Sequence, residues 1–221
     1  EKIIIDELDQ VKSGDVVAII GDFDHESIFT FLRLIDKGCI LVPLTIETKK
    51  DHDYFFKEAK VQYIFEKNKL QRVIQREVFN HDLLKILRAS GNPGLILFTT
   101  GTTGRPKAIL HDLEKFLERY KTPRKPMKTL SFLLFDHIGG INTLLHMLFN
   151  RGTVITIKNR NIEEVIFLCE KHQIELLPTT PTFLRLLSLC DDIHQIIPKS
   201  LKVISYGTER LDEYTLKNLC E

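Results

Sequence analysis

Short runs of apolar residues alternate with segments of helical periodicity along the whole chain. In the first half, runs rich in β-branched residues predict strands at 16–20, 39–44, 61–67 and 95–99. In the second half, the corresponding strands are predicted at 129–135, 153–158, 175–177 and 201–205. Because these runs are apolar on both faces and are separated by helical segments, they indicate parallel pairing with helices covering the sheets. We therefore expect an α/β fold of two stacked, mostly parallel sheets, with helices between and outside them.

Capping residues mark the ends of several predicted helices. Residues that favour the position before the first helical turn are Asp24, Asp112, Asn161 and Thr180. Pro181 follows Thr180 at the first helical position, which proline tolerates because no backbone N–H is needed there. Gly38 stands where a left-handed glycine commonly ends a helix.

The chain of 221 residues is long enough for one large domain or for two small lobes that share a core. Its two series of strands divide near residue 110. We expect a first lobe over about 1–110 and a second lobe over about 111–221.

The charge balance excludes a strong electrostatic field. Lys and Arg number 31 and Asp and Glu number 30, so the net charge is +1. This balance predicts neither a nucleic-acid partner nor an anionic membrane surface as a partner. The basic run over 121–128 is interpreted as a solvated linker.

Cysteine, histidine and hydropathy patterns point to a cytoplasmic protein. The four cysteines are far apart and form no CxxC pair: Cys39, Cys169, Cys190 and Cys220. That pattern favours a reducing compartment over a disulfide framework, and the histidines show no zinc-ligand spacing. No apolar stretch approaches the ~20 residues of a membrane span. We assign no metal-binding side chains and expect no membrane span.

Residues 95–111, LILFTTGTTGRPKAILH, are the most informative segment for function. A predicted buried strand leads into Thr99, Thr100, Gly101, Thr102, Thr103 and Gly104. The glycines let backbone N–H groups turn toward one point, the threonines add hydroxyls, and Lys107 adds a positive charge. These groups predict a site for a polyanion, most simply a triphosphate. The alternative is a Gly/Thr-rich hairpin turn between two strands.

The same segment is not a Walker loop. Arg105 and Pro106 separate Gly104 from Lys107, whereas a Walker loop places Gly and Lys side by side at the start of a helix. A kinase or NTPase of the P-loop type is therefore disfavoured.

The string FTTGTTGRPKA resembles the phosphate-loop signature of the adenylate-forming superfamily, which includes acyl-CoA synthetases, peptide-synthetase adenylation domains and luciferases. The signature usually reads [YF]-T-S-G-[ST]-T-G-x-P-K-G, so Thr100 and Ala108 depart from it. Residues 15–47 resemble the early segment of that family, and 176–187 resemble a strand and Pro-led helix that help to wall its acyl pocket. The resemblance covers most of the chain and implies an incomplete N-terminal domain of the acyl-CoA synthetase fold.

Two later segments also resemble the family. Residues 133–155 match a region in which His137 would border the acyl and ribose pocket; the alternative is an exposed histidine at the end of a strand. Residues 203–216 resemble the Gly-Gly-Glu-Pro-Leu segment that passes the adenine ring, so Gly207, Thr208 and Glu209 would lie beside the adenine. A competing alignment equates 206–209 with the later Tyr-Gly-x-Thr-Glu motif, with one residue missing. The preceding strand and the following leucine-led helix favour the earlier segment.

The resemblance implies that a carboxylic acid attacks the α-phosphorus of ATP, in the presence of Mg²⁺, to give an acyl-adenylate and pyrophosphate. The thiol of CoA, or of a phosphopantetheine on an acyl-carrier protein, then displaces AMP. Lys107 and His137 would be the catalytic residues. The family's mobile C-terminal domain has no counterpart in these 221 residues, so we expect this stretch alone to be inactive and to self-associate. The alternative is an inactive nucleotide-binding module of the same fold.

Overall fold

The computed structural model describes residues 2–73, 81–99, 104–190, 193–207 and 209–220, and they form two compact units. The first unit comprises Glu1–Lys121 and Phe135–Ile138, and the second comprises Thr122–Leu134 and Gly139–Glu221. The first unit thus extends beyond the expected division near residue 110, because the chain over 107–112 pairs with the first sheet.

The first unit is built on a six-stranded sheet. Its strands are β1 (Val16–Ile20), β2 (Ile40–Leu44), β3 (Tyr63–Glu66), β4 (Lys69–Arg72), β5 (Gly94–Thr99) and β6 (Lys107–Asp112). Its helices are α1 (Lys2–Leu8), α2 (His25–Asp36), α3 (His52–Ala59), α4 (Asp82–Ser90) and α5 (Leu113–Leu117), and 3-10 turns span Ile46–Asp51 and Glu118–Tyr120. The strand order is β4-β3-β1-β2-β5-β6. The four central strands pair in parallel, as predicted, and β4 and β6 run antiparallel at the two edges.

The central strands form the core of this unit. Every residue of β2 is buried, as are the first four residues of β1 and of β5. The residues of one buried cluster are Val16, Ala18, Ile40, Val42, Leu44, Phe55, Ala59, Val61, Leu84, Leu87 and Ile96. The cluster joins one face of the sheet to α3 and α4. The alternate residues Val17, Ile19 and Leu41 are buried as well, so these strands are apolar on both faces.

The second unit is built on a four-stranded sheet in which all pairs are parallel. Its strands are β7 (Lys128–Leu130), β8 (Thr153–Ile155), β9 (Leu176–Thr179) and β10 (Val203–Tyr206), in the order β10-β9-β7-β8. Its helices are α6 (Ile138–Phe149), α7 (Ile162–His172), α8 (Pro181–Ser188), α9 (Ile193–Ile196) and α10 (Glu213–Cys220). β7 is shorter than predicted, because the backbone folds tightly after Leu130, with Phe132 N donating to Leu130 O at 2.9 Å.

The predicted helix caps are confirmed. The side chain of Asp24 accepts from Ser27 N at 2.8 Å, and that of Asn161 accepts from Glu164 N at 2.8 Å. Thr180 and Asp112 accept in the same way at the starts of α8 and α5. Gly38 has a φ of +70°, the left-handed conformation expected there. The local sequence pattern therefore predicted these helix starts correctly.

Cys39, Cys169 and Cys190 are free thiols. Burial raises the pKa of Cys39 to about 12 and that of Cys169 to about 11. Among the described residues, no helix is both long enough and apolar enough to cross a membrane.

Candidate functional site

The predicted phosphate loop connects β5 and β6 in an antiparallel hairpin. Thr99, the last residue of β5, lies opposite Lys107, the first residue of β6. The hairpin that the sequence offered as an alternative is therefore present, and it places the two ends of the loop side by side. Thr100, Gly101, Thr102 and Thr103 lie outside the described residues.

Gly104 gives the described part of the loop an open backbone. Its φ is +149°, a conformation that favours glycine, and among the described residues other than its chain neighbours no atom lies within 4 Å of the position that a Cβ would take. Thr99 and Lys107 are both exposed. The base of the loop therefore presents a hydroxyl and a cation side by side.

Helix α3 packs beneath the hairpin. The rings of Phe55 and Phe98 are stacked at 4.0 Å between centroids, with 20° between their planes. The hydroxyl of Tyr54 donates to Pro106 O at 2.9 Å, and the Arg105 guanidinium lies 5.4 Å from the centre of the Tyr54 ring. Sequence reasoning missed Tyr54, because nothing in the helical pattern of α3 shows which strand it meets.

The turn that carries His137 belongs to the first unit, although residues of the second unit flank it in sequence. Phe135 is fully buried and makes edge-on contacts with Phe23 and Phe31, with ring centroids 5.3 Å and 5.7 Å away. These contacts fix the turn immediately before α6.

Asp136 anchors the same turn to the end of β2. Its Oδ2 accepts from Thr45 Oγ1 at 2.7 Å and lies 3.4 Å from Thr48 Oγ1. The buried ring of His52 completes this network, with Nε2 3.0 Å from Thr45 O. No sequence motif drew attention to this network, because the residues that form it are far apart in the chain.

His137 is partly buried, in contrast to the exposed loop histidine that was the alternative interpretation. Burial lowers the pKa of His137, and the neighbouring Asp136 carboxylate opposes that shift. The lowered pKa favours the neutral imidazole, which can both donate and accept a hydrogen bond.

The predicted adenine segment lies in the second unit. Gly207 directly follows β10, and among the described residues other than its chain neighbours no atom lies within 4 Å of the position that its Cβ would take. Glu209 is exposed, and its Oε2 lies 3.9 Å from Arg185 Nη1. Thr208 lies outside the described residues. Because β9 and β10 are parallel, this segment lies at the carboxyl ends of the strands, where parallel sheets commonly bind ligands.

Comparisons with known proteins agree with one another. The family model described as AMP-binding enzyme matches residues 7–220. Bacitracin synthase 2 of Bacillus licheniformis is 22% identical over 224 aligned residues, which cover 90% of this chain and 8% of that protein.

Solved structures show the same fold. The N-terminal domain of FACL13 from Mycobacterium tuberculosis has a TM-score of 0.76 and 14% identity, covering 98% of this chain and 62% of that chain. The O-succinylbenzoate Coenzyme A Synthetase (MenE) from Bacillus subtilis, in complex with AMP, has a TM-score of 0.72 and 16% identity, covering 98% and 61%. The chain therefore spans about three fifths of the length of these structures.

Proposed function

Because the chain belongs to the AMP-binding enzyme family, we propose that it binds ATP at the hairpin between β5 and β6 and activates a carboxylic acid as an acyl-adenylate. The observation that carries this proposal is the geometry of that hairpin. Thr99 and Lys107 are paired across its base, and Gly104, with a φ of +149°, lies in the loop between them.

In this proposal, residues 99–107 hold the β- and γ-phosphates of ATP and then the leaving pyrophosphate. Backbone N–H groups of Gly101 and Gly104 and the hydroxyls of Thr99, Thr100, Thr102 and Thr103 donate hydrogen bonds. Lys107 places a cation beside the phosphates, which favours the charge that develops on pyrophosphate as it leaves. Catalysis then consists mainly of positioning and charge neutralisation, and no nucleophilic side chain is needed.

Magnesium would neutralise charge on the phosphate oxygens when it is bound with ATP. Among residues 2–73, 81–99, 104–190, 193–207 and 209–220, no three His, Cys, Asp or Glu side chains group to hold a metal ion.

His137 and residues 207–209 would contact the rest of the substrates. A neutral imidazole suits His137 for hydrogen bonding to a ribose or acyl oxygen rather than for an ion pair with the acid. Gly207, Thr208 and Glu209 would pass the adenine ring. The acceptor would be the thiol of CoA or of a phosphopantetheine on an acyl-carrier protein, which the relative named as a coenzyme A synthetase supports.

The experiment that tests this function is acid-dependent ATP–pyrophosphate exchange by the full-length protein. A panel of fatty, aromatic and amino acids serves as substrates. Exchange with at least one acid is expected, and Lys107→Ala should lower it by roughly 10²–10³-fold, the usual cost of removing one preorganised charge. Lys115→Ala is the matched control, since the Lys115 side chain is 81% exposed and lies outside the loop.

Unchanged exchange in Lys107→Ala would contradict the assignment of this lysine. ATP binding without exchange for any acid would favour an inactive nucleotide-binding module instead.

A further inference from the structure

We propose that Tyr54 is a positioning residue that holds the C-terminal limb of the phosphate loop, residues 104–107, against α3. The anchoring of residues 104–107 by Tyr54 is independent of the function proposed above. The effect of that anchoring on ATP binding rests on that function. Tyr54 lies outside the phosphate-loop signature, and 52 positions separate it from its partner Pro106.

Two contacts join Tyr54 to consecutive residues of the limb. Its hydroxyl donates to Pro106 O at 2.9 Å, in a partly buried setting. Its ring faces the Arg105 guanidinium at 5.4 Å, within the range of a cation–π contact. One side chain therefore engages both residues that separate Gly104 from Lys107.

The limb needs such support because it enters an edge strand. β6 pairs with β5 on one side, and its first three residues, Lys107, Ala108 and Ile109, are exposed. Pro106 has no N–H to donate to a strand partner, so its carbonyl is the backbone group available for anchoring. Tyr54 supplies that anchor from α3, which the stacked rings of Phe55 and Phe98 hold against the sheet.

The consequence is preorganisation of Lys107. A loop that is already held in place spends less conformational entropy when a ligand binds, so its affinity for that ligand is higher. Loss of the Tyr54 hydroxyl should therefore weaken ATP binding while leaving the site's own charges intact.

Hydrogen exchange of the full-length protein, without nucleotide, tests whether Tyr54 anchors residues 104–107. In Tyr54→Phe, the backbone amides of 107–109 should exchange at least threefold faster, while those of β1 and β2 stay unchanged. Tyr63→Phe is the matched control, because Tyr63 is a partly buried tyrosine on β3, away from β6. Equal exchange of 107–109 in wild type and Tyr54→Phe would overturn the proposal.

Kinetics then test the effect on ATP. Tyr54→Phe should raise the KM for ATP about fivefold, which corresponds to about 1 kcal/mol at 1.4 kcal/mol per decade. The KM for the acid should stay within twofold, and Tyr54→Leu, which also loses the ring, should raise the KM for ATP further. Equal rises in both KM values would overturn the positioning role.

The two proposals fail in different ways. If the amides of 107–109 exchange faster in Tyr54→Phe but the wild-type protein does not use ATP, the anchoring role of Tyr54 stands and the proposed function is refuted. If Tyr54→Phe uses ATP with an unchanged KM, the proposed function stands and the effect of Tyr54 on ATP binding is refuted.

Discussion

The buried hydroxyl of Thr45 links the end of β2 to the turn that carries His137. Thr45 is 1% exposed, and its Oγ1 donates to the Asp136 carboxylate at 2.7 Å. Replacing Thr45 by valine keeps the shape but leaves Asp136 with one fewer donor. We expect Thr45→Val to lower the free energy of unfolding by ~2 kcal/mol, as hydrogen bonds to charged groups commonly do. Urea denaturation measures this change.

Thr30 offers the matched control for that substitution. It is also fully buried, but within the described part of the chain its Oγ1 has no hydrogen-bond partner. Thr30→Val should therefore change the free energy of unfolding by less than ~0.5 kcal/mol or raise it. Equal losses in the two variants would contradict the role given to the Thr45–Asp136 hydrogen bond.

The protonation of His137 predicts a pH dependence of stability. Burial holds its pKa below the usual value of 6.5, so the unfolded chain takes up a proton more readily than the folded protein does. The free energy of unfolding therefore falls as the pH drops below that value, until the folded pKa is reached. His111 and His146 shift in the same direction, also because of burial.

His137→Gln should accordingly flatten the decline of stability between about pH 6.5 and 5, by at most ~1.4 kcal/mol per pH unit. The check is urea denaturation at a series of pH values. Above about pH 8 the curves of the two proteins should run parallel. Identical slopes at low pH would contradict the assigned burial effect.

At the residue scale, the helix caps Asp24 and Asn161 were predictable because their signal is local. The loop over 99–107 was proposed as a phosphate site because its glycines, hydroxyls and lysine are neighbours in the chain. Tyr54 was missed because its partner is 52 positions away, and Thr45 because Asp136 is 91 positions away. Such contacts depend on how the strands are ordered, which periodicity does not reveal.

At the scale of elements, the buried strands and the capped helices were predictable, and the two edge strands of the first sheet, β4 and β6, were not. β4 has the sequence KLQR and β6 has KAILHD, and most of their side chains are exposed or partly buried. A strand at the edge of a sheet needs no continuous apolar run, and charged residues there discourage pairing with other chains. The two edges therefore carried no signal of the kind that identified β1, β2, β3 and β5.

The cap of α8 gives a test at this scale. Thr180 Oγ1 accepts from Phe183 N at 3.2 Å, directly before Pro181. Thr180→Ala should lower the free energy of unfolding by ~1 kcal/mol. Thr180→Ser keeps the capping hydroxyl and should lower it by much less. Thr182→Ala is the control, because Thr182 is exposed within the first turn. Chemical denaturation compares the three, and an equal loss in Thr182→Ala would argue against the cap.

At the scale of the whole molecule, the two α/β units were predictable, but the path of the chain between them was not. Residues 135–138 belong to the first unit because Phe135 packs on Phe23 and Phe31 and Asp136 bonds to Thr45. The sequence suggests only a strand end there, since a buried phenylalanine fits either unit. This assignment places the His137 turn in the same unit as the β5–β6 hairpin.

The claim that the β5–β6 hairpin holds the phosphates of ATP is tested most directly by the affinities of ATP, ADP, AMP and adenosine. Calorimetry on the full-length protein would compare wild type with Lys107→Ala. If Lys107 contacts the β- and γ-phosphates, the variant should bind ATP at least about tenfold more weakly, ADP less so, and AMP and adenosine within twofold of wild type. An equal loss for all four ligands, or undiminished ATP affinity, would contradict the placement of the phosphates at this hairpin.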